Sequence, residues 1–340
     1  MKKFLKIFTL IILILVIILI TYLFIGLPPE AENIKWGVSF SQKQSEMLKL
    51  DWEENYSAIL KDLKVKFLRI SVHWDLIEPK ENQFDFSNLD WQINQAKEFG
   101  TKVILAIGMK TPRWPECHLP DWAKNLSSEE QQARVNKLIE NLILRYKNEE
   151  AIIAWQVENE PFFPFGECPS RKKGFLDEEI NLIKSLDSRK IMTTDSGEWS
   201  LWFKTAKRSD VFGISLYRRV WSTTFSFLHE VFKVFPKGFY VEYPFPPKFY
   251  WLKAKLIEKF LHKRVIIAEL QAEPWDPTAL SGSSFEEQAK TMDFKKFQEI
   301  ITFAGKTGFD EFYFWGVEWW YWLKTKQNDA RFWNEAAKLF

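Results

Sequence analysis

The sequence contains little of the material from which several common active sites are built. Among its 340 residues there are two cysteines, four histidines and 13 glycines. The motifs His-Glu-x-x-His, Gly-x-Ser-x-Gly and Gly-x-Gly-x-x-Gly do not occur, and these are typical of zinc proteases, serine hydrolases and dinucleotide-binding folds. We therefore expect no metal site, no nucleotide cofactor and no cofactor of another kind.

A large net charge of one sign is also lacking. The chain has 47 Lys and Arg against 45 Asp and Glu, a formal charge of +2. Lys2, Lys3 and Lys6 contribute +3 with no acidic residue before Gly26, so +2 minus +3 leaves −1 for the remainder. A nearly neutral body argues against nucleic acid as a partner.

The N-terminal segment is different in composition from the rest of the chain. Residues 7–26 carry no charge, and twenty helical residues span about 30 Å, the thickness of a bilayer core. The preceding lysines favour a cytoplasmic N-terminus, and no Ala-x-Ala cleavage site follows. The sequence thus predicts a single-pass signal anchor in residues 1–29, with the lipid bilayer as a partner through residues 7–26. Residues 30–340 would form one extracytoplasmic domain at the cell membrane, or a secreted one if the segment is cleaved.

Eight short apolar runs alternate with amphipathic segments after the N-terminal segment. Their length and their β-branched and aromatic residues are typical of parallel strands buried on both faces. Eight alternations predict an α/β fold of the (β/α)8 barrel type, and an open doubly wound sheet is the alternative. The runs are residues 35–39, 66–72, 102–107, 151–157, 190–194, 211–216, 264–268 and 311–315.

Helices are predicted between these runs from apolar periodicity and end signals. Ser127 is a candidate cap for a helix that continues to Tyr146, and Gly100 is a stop signal for the helix before it. Residues 200–209, the crossover after the fifth run, show only a weak helical pattern. The predicted helices are residues 52–63, 89–99, 131–146, 177–186, 249–262, 285–304 and 328–339.

Many of the 17 tryptophans fall in the segments that follow the runs, where the active site of a barrel lies. A flat apolar ring with one N–H donor suits a sugar, although core packing is the alternative for part of the set, as it is for Trp36 and Trp155 inside the runs. The loop set is Trp74, Trp114, Trp122, Trp199, Trp202, Trp221, Trp275, Trp315, Trp319, Trp320 and Trp322.

Two carboxylates stand at the ends of runs that face each other across a closed barrel. Glu160 follows the fourth run within Asn159-Glu160-Pro161, and Glu269 directly ends the seventh. Glycosidic bonds are cleaved by two carboxyl groups, which lie about 5–5.5 Å apart in retaining enzymes. Glu273 is the rival of Glu269 as nucleophile, and an ion-paired structural role is the alternative for each carboxylate taken singly.

At these positions residues 34–325 resemble clan A of the glycoside hydrolases, retaining (β/α)8 enzymes with cellulase-like and β-galactosidase-like families. Ile77-Glu78-Pro79, with Phe84-Asp85-Phe86 after it, adds to the resemblance. The resemblance implies that Glu160 is the general acid and base and that Glu269 is the nucleophile. The other matching positions of the clan's sugar site are Arg69, Asn159, Tyr217 and Trp315.

Four further residues at the strand ends are expected to bind an oligo- or polysaccharide substrate: His73, Trp74, Trp114 and Trp275. We expect a retaining β-glycosidase of a cellulase-like kind. The alternatives are an exo-glycosidase of the β-galactosidase type and a non-catalytic carbohydrate-binding barrel. No oligomeric state is predicted.

Two predictions concern the loops around this mouth. Cys117 and Cys168 fall after the third and fourth runs, where a disulfide would brace adjacent loops; two unrelated buried thiols are the alternative. Residues 218–250 form a long segment rich in Phe, Tyr and Pro, which we expect to wall the cleft. Contact of this segment with a membrane surface is a weaker hypothesis.

Overall fold

The structure, a computed structural model, describes residues 2–223, 237–278 and 280–340. Its strands agree with the eight apolar runs, and a small hairpin is inserted after the sixth. In chain order the strands are β1 (Lys35–Phe40), β2 (Phe67–Ser71), β3 (Lys102–Ile107), β4 (Ile152–Val157), β5 (Lys190–Asp195), β6 (Val211–Leu216), β7 (Arg219–Ser222), β8 (Phe239–Glu242), β9 (Arg264–Gln271) and β10 (Glu311–Trp315).

Eight of these strands close into a parallel barrel. The order around the barrel is β1, β2, β3, β4, β5, β6, β9 and β10, and β10 pairs with β1 to complete the ring. Strands β7 and β8 form a separate antiparallel pair. The predicted (β/α)8 barrel is confirmed, and the closed ring excludes the open doubly wound alternative.

The predicted helices lie between the strands with changed bounds, and within the described residues three helices that were not predicted, Gln42–Met47, Trp74–Ile77 and Val317–Lys326, are added to them. In chain order the helices are α1 (Lys2–Phe24), α2 (Gln42–Met47), α3 (Trp52–Lys61), α4 (Trp74–Ile77), α5 (Ser87–Glu98), α6 (Ser128–Tyr146), α7 (Phe175–Leu186), α8 (Phe203–Ala206), α9 (Pro247–Leu261), α10 (Phe285–Thr291), α11 (Phe294–Gly305), α12 (Val317–Lys326) and α13 (Arg331–Ala336).

Side-chain caps account for several of these bounds. Ser127 and Glu130 form a capping box at the start of α6, and reciprocal bonds of this kind satisfy two of the free N–H groups of a helix end. The helix predicted over residues 285–304 is two helices. Asp293 accepts a hydrogen bond from the backbone N–H of Lys296 at 2.8 Å, so that it caps α11 and separates it from α10.

The inward positions of the barrel change character along the strands. Near the amino ends they are apolar: Ile104, Ala154, Met192, Ile266 and Tyr313 form one buried cluster. Two residues further along β4 and β5, on the same face, lie the polar side chains Gln156 and Thr194, and they are also buried. Because successive inward positions are two residues apart, a short apolar plug supports a polar layer at the carboxyl ends of the strands.

The N-terminal prediction has a different outcome. Helix α1 begins at Lys2 and ends at Phe24, so it includes most of the charge-free segment. Within the residues that the structure describes, no helix has the length and apolar character that a membrane crossing needs. The structure therefore does not support the predicted transmembrane helix in residues 7–26.

The segment after β6 contains more structure than a loop. Strands β7 and β8 pair through Val220 and Val241, and helix α9 begins at Pro247. Residues 224–236, in the middle of the predicted cleft wall, lie outside the described residues.

Candidate active site

Arg69 is the centre of the polar layer. It lies on β2, is fully buried, and donates from Nε to Gln156 Oε1 at 2.6 Å. Its two terminal nitrogens donate to Glu269 Oε1 at 2.9 Å and to Asn159 Oδ1 at 2.8 Å. Because an arginine fork holds its partners in a fixed plane, one residue sets the positions of side chains from β4 and β9.

Glu269 accepts hydrogen bonds on both carboxylate oxygens. Arg69 binds Oε1, and the Tyr217 hydroxyl donates to Oε2 at 3.1 Å. Only 5% of the residue is exposed. A guanidinium and a phenol thus both direct donors at this carboxyl group, and charge-assisted hydrogen bonds of this kind position it firmly.

Glu160 has a contrasting environment. Its Oε1 accepts one hydrogen bond, from Ser215 at 2.8 Å, and Ser215 is the register partner of Glu269 between β6 and β9. Burial raises the pKa of Glu160 well above its ordinary value, and the charges of Glu269 and Glu116 raise it further, while Lys110 and Ser215 act in the opposite direction. A carboxyl group with this balance is held protonated, as a general acid must be.

A third carboxyl group, Glu116, lies beside this pair. Its Oε1 accepts a hydrogen bond from Asn159 Nδ2 at 3.1 Å, and its Oε2 is 3.3 Å from Lys110 Nζ. Burial raises the pKa of Glu116 to about 7, with Lys110 opposing and Glu269 adding to the rise. Asn159 therefore bridges Arg69 and Glu116, which fixes the direction of its amide group.

Two more carboxyl groups share a single arginine on the other side of the mouth. Arg113 donates from one nitrogen to Glu273 and from the other to Glu318 Oε2 at 2.8 Å. Its guanidinium lies over the Trp315 ring at 3.9 Å from the centroid. Glu318 also accepts the backbone N–H of Ser41 at 2.6 Å. The arrangement connects the third, seventh and eighth strand ends with β1.

An aromatic wall stands next to Glu269. Tyr217 and Trp315 belong to one buried cluster, against which Trp275 packs. The rings of Tyr217 and Trp275 meet edge to face with centroids 5.0 Å apart, and Phe165 lies 5.4 Å from Trp275. Trp114, which is 52% exposed, contacts Phe165. The wall thus passes from the buried carboxylates to the surface.

The structure brings most of the predicted site residues together and places the others elsewhere. Trp74 is buried in the helical layer, where its ring meets Trp122 and its indole N–H donates to Glu78 at 2.9 Å. His73 is buried too, with Ser41 Oγ 2.9 Å from Nε2 and Thr111 Oγ1 3.2 Å from Nδ1. These contacts support the loops behind the site. The residues brought together are Arg69, Asn159, Glu160, Tyr217, Glu269, Trp275 and Trp315.

Part of the tryptophan set packs in the core, which is the alternative that the sequence left open. Helix α12 carries Trp319 and Trp320, which are buried in the main core with their indole N–H groups bonded to Gln288 and to the Ala272 carbonyl. Trp202 is likewise buried and donates to the Ser196 carbonyl. A buried indole with a satisfied N–H is a packing element, so only part of the set lines a cleft.

The two cysteines are joined. Cys117 and Cys168 form a disulfide that links the loops after β3 and β4, next to Glu116.

Glu158, at the end of β4, accepts the backbone N–H of Met109 at 2.7 Å and forms an ion pair with Arg171 at 2.5 Å. Among the described residues, no group of three or more His, Cys, Asp or Glu is placed to hold a metal ion.

Several residues of the site were not assigned from the sequence. Gln156 and Ser215 occupy inward positions of β4 and β6. The alternation of inward and outward positions along a strand is the sequence signal that could have found them. Glu116 and Arg113 have left-handed backbone angles, with φ of 73° and 97°, in a loop without periodic pattern. No local sequence signal indicates where such side chains point.

The comparisons with known proteins agree with this geometry. The β-galactosidase family model, glycoside hydrolase family 42, matches residues 45–231, more than half of the chain. β-Galactosidase BgaA of Clostridium cellulovorans is 25% identical over 172 residues, which cover 44% of this chain and 26% of that protein. The chain spans about a quarter to a third of the length of the curated β-galactosidases that it matches.

Solved structures show the same fold. The β-galactosidase from Rahnella sp. R3 superposes with a TM-score of 0.55 at 14% identity, over 93% of this chain and 57% of that one. Xylanase 10B from Thermotoga maritima superposes with a TM-score of 0.56 at 15% identity, over 83% of each chain. With the family model covering more than half of the sequence, the chain belongs to the β-galactosidase family, glycoside hydrolase family 42, and the resemblance to clan A is confirmed.

Proposed function

We propose that this protein is a retaining β-glycosidase in which Glu160 is the general acid and base and Glu269 is the nucleophile. The observation that carries the proposal is the contrast between the two buried carboxyl groups. Glu269 is bound by Arg69 and Tyr217, whereas burial and neighbouring carboxylates raise the pKa of Glu160. Two carboxyl groups with opposite protonation states are what glycoside cleavage needs.

In the first step, Glu160 donates its proton to the leaving oxygen while Glu269 attacks the anomeric carbon. The glycosyl–enzyme ester that forms on Glu269 is neutral. Because the charge of Glu269 raises the pKa of Glu160, forming the ester lowers that pKa. Glu160, now a carboxylate, accepts a proton from water as the water attacks the anomeric carbon. The bond from that carbon to the Glu269 oxygen breaks, and Glu269 leaves as the carboxylate.

Asn159 supports this reaction from the same strand end. Arg69 binds its carbonyl oxygen and Glu116 its amide nitrogen, so the side chain is fixed between Glu269 and the loop after β3. We propose that it binds the sugar hydroxyl next to the anomeric carbon, a contact that strengthens in the transition state.

The substrate is proposed to be a neutral sugar, with a β-galactoside as the first candidate because of the family. The buried charges support neutrality: the carboxyl groups outnumber the cations, and a uronate would add another negative charge. The carboxyl groups are Glu116, Glu160, Glu269, Glu273 and Glu318, and the cations are Arg69, Lys110 and Arg113.

The test is a panel of aryl β-glycosides followed by proton NMR, which detects the anomer released first. We expect turnover of at least one neutral glycoside, with a β-galactoside among the best, and the β anomer as the first product. Aryl β-glucuronide should not be hydrolysed. First release of the α anomer would contradict the retaining mechanism, and full activity of the Glu269→Gln variant on these substrates would contradict the assignment of the nucleophile.

We also propose that the barrel functions outside the cytoplasm. The Cys117–Cys168 disulfide supports this, because disulfides persist mainly in oxidising compartments. Attachment to a bilayer through residues 7–26 has its support in the charge-free run behind three lysines. Fractionation of cells that express the full chain, with mass analysis of its thiols after blocking, tests both: we expect a membrane-associated, oxidised protein, and a protein with two free thiols in the cytosolic fraction would refute the proposal.

A further inference from the structure

Glu273 has one carboxylate oxygen that lacks a hydrogen-bond partner of normal geometry among the described residues. Its Oε1 is bound by Arg113. Its Oε2 is buried, and within the part of the chain that the structure describes it has no hydrogen-bond partner at normal geometry. The Trp315 indole is a nearby donor that acts on the same carboxyl group, and only 6% of the residue is exposed. A buried acceptor without a donor is costly, so an orphan of this kind in an active site calls for an explanation.

The backbone around Glu273 is held in place. The N–H of Ala272 donates to the Trp315 carbonyl at 2.9 Å, and the Ala272 carbonyl accepts the Trp320 indole N–H at 2.8 Å. Gly316 packs so closely that a Cβ there would lie 2.6 Å from Glu273 Cβ, and its φ is +133°. The side chain is therefore positioned rigidly between the seventh and eighth strand ends.

Glu273 also lies close to the proposed chemistry. Burial raises the pKa of Tyr217 well above its ordinary value, and the charges of Glu269 and Glu273 are the next largest causes. The Tyr217 hydroxyl is the group that donates to Glu269. Glu273 is thus a neighbour of the nucleophile's own hydrogen-bond partner.

A purely structural role is the competing explanation, and Glu318 shows what such a role looks like. Glu318 shares Arg113 with Glu273, but both of its oxygens are used: Oε1 accepts the Ser41 N–H and Oε2 binds Arg113. Burial raises the pKa of Glu273 to about 7 and the charge of Glu318 adds to the rise, while Arg113 and a side-chain hydrogen bond from Trp315 oppose it. One more hydrogen-bond donor would stabilise the charged form of Glu273.

We infer that Glu273 is a substrate-binding residue that sets sugar specificity, and that its Oε2 accepts a hydrogen bond from a hydroxyl group of the ring bound at Glu269. The inference rests on the proposed glycosidase function. Asn159 is assigned to the hydroxyl next to the anomeric carbon. Among the residues described, Glu273 shares no hydrogen-bond partner with Asn159 and lies beside Trp315, so we assign it a different group of the ring, the 3-, 4- or 6-hydroxyl group.

The experiment compares substrates that lack one hydroxyl group each. The substrates are the best aryl glycoside of the panel and its 3-, 4- and 6-deoxy analogues, and the proteins are wild type, Glu273→Gln and Glu318→Gln. Glutamine keeps one carbonyl oxygen for Arg113 and removes the spare acceptor. Glu318→Gln is the matched control, because it perturbs the same arginine without removing a free oxygen.

We expect wild type to lose about 10- to 100-fold in kcat/KM on one deoxy analogue, the range of a hydrogen bond to a charged group. Glu273→Gln should lose a similar factor on the parent substrate and no longer distinguish it from that analogue. Glu318→Gln should lower kcat/KM by a common factor on all four substrates and should still distinguish the parent substrate from that analogue.

If Glu273→Gln instead lowers all four substrates equally, its role is structural and the inference is wrong, while the glycosidase function stands. If wild type hydrolyses no glycoside, the proposed function fails and this inference falls with it. A Glu273→Ala variant, checked for folding by its melting temperature, separates the cases further, since it should also lose the distinction if the hydroxyl contact is real.

Discussion

Glu160 and Glu269 end two strands of one barrel and are buried to a similar extent, yet their surroundings oppose each other. Glu269 accepts hydrogen bonds from a guanidinium and a phenol. Glu160 accepts a hydrogen bond from one hydroxyl group, and the charges of two other carboxylates act on it. Burial alone therefore does not distinguish the two carboxyl groups, because the difference between them lies in the partners on neighbouring strands.

The largest expected effect comes from removing the charged member. Glu269→Gln leaves the shape of the site and removes the nucleophile, so kcat/KM should fall by about 10⁴-fold or more, as when a catalytic nucleophile is removed in other hydrolases. The loss should be similar for good and poor leaving groups. Steady-state kinetics on aryl β-glycosides measures it. Retained activity in Glu269→Gln together with loss in Glu273→Gln would reverse the assignment of the two glutamates.

Removing the protonated member should have an effect that depends on the substrate. Glu160→Gln removes general acid catalysis, which is worth about 10²- to 10⁴-fold. The loss should be greatest for alkyl glycosides, whose leaving oxygen needs a proton, and least for the first step on an activated aryl glycoside. A series of leaving groups of different acidity measures this slope. An equal loss across the series would show that Glu160 is not the acid.

Arg69 is the charged partner of Glu269, one of the two carboxyl groups. Arg69→Lys keeps one positive charge but cannot bind Gln156, Asn159 and Glu269 together. We expect kcat to fall by about 10²- to 10³-fold, the range for losing a positioned donor in an active site. Arg189→Lys is the control. Arg189 donates to the Tyr146 and Ile152 carbonyls, at the opposite end of β4 from the site. The activity of the Arg189→Lys variant should therefore hardly change.

The smallest effects should be shifts of the pH profile with opposite signs. Glu160 acts when protonated, so activity is lost as pH rises through its raised pKa. Glu116→Gln removes a negative charge that raises the pKa of Glu160, and the alkaline limb of kcat/KM should move to lower pH. Ser215→Ala removes a hydrogen bond that lowers this pKa, and the limb should move to higher pH. Shifts of the same sign in both variants would contradict the electrostatic account.

The barrel and its central residues could be predicted because they depend on strand pattern and closure. The eight apolar runs specify eight buried strands, and closing the ring brings Arg69, Asn159, Tyr217 and Glu269 together across large sequence separations. Glu269 could be preferred over Glu273 because it lies on the strand itself. The structure gives them different partners: Arg113 binds one oxygen of Glu273, whereas Arg69 and Tyr217 bind Glu269.

The loops could not be predicted in the same way. Arg113 reaches Glu273 and Glu318 across 160 and 205 residues, from a backbone with positive φ that no periodicity indicates. The same limit applies to the tryptophans, for which the sequence left core packing and cleft lining open. Trp319 and Trp320 follow a strand end, but they belong to helix α12 and face the core, and a residue's place after a strand does not show which way its side chain points.

The central claim is that Glu269 is the nucleophile and Glu160 the acid, and azide rescue tests both at once. Glu269→Ala should recover turnover of an activated aryl β-glycoside in azide and release the α-glycosyl azide, because azide attacks in place of the missing carboxylate. Glu160→Ala should also be rescued, through the intact glycosyl–enzyme ester, and release the β-glycosyl azide. Exchange of these two products, or rescue by azide in Glu273→Ala with none in Glu269→Ala, would contradict the account.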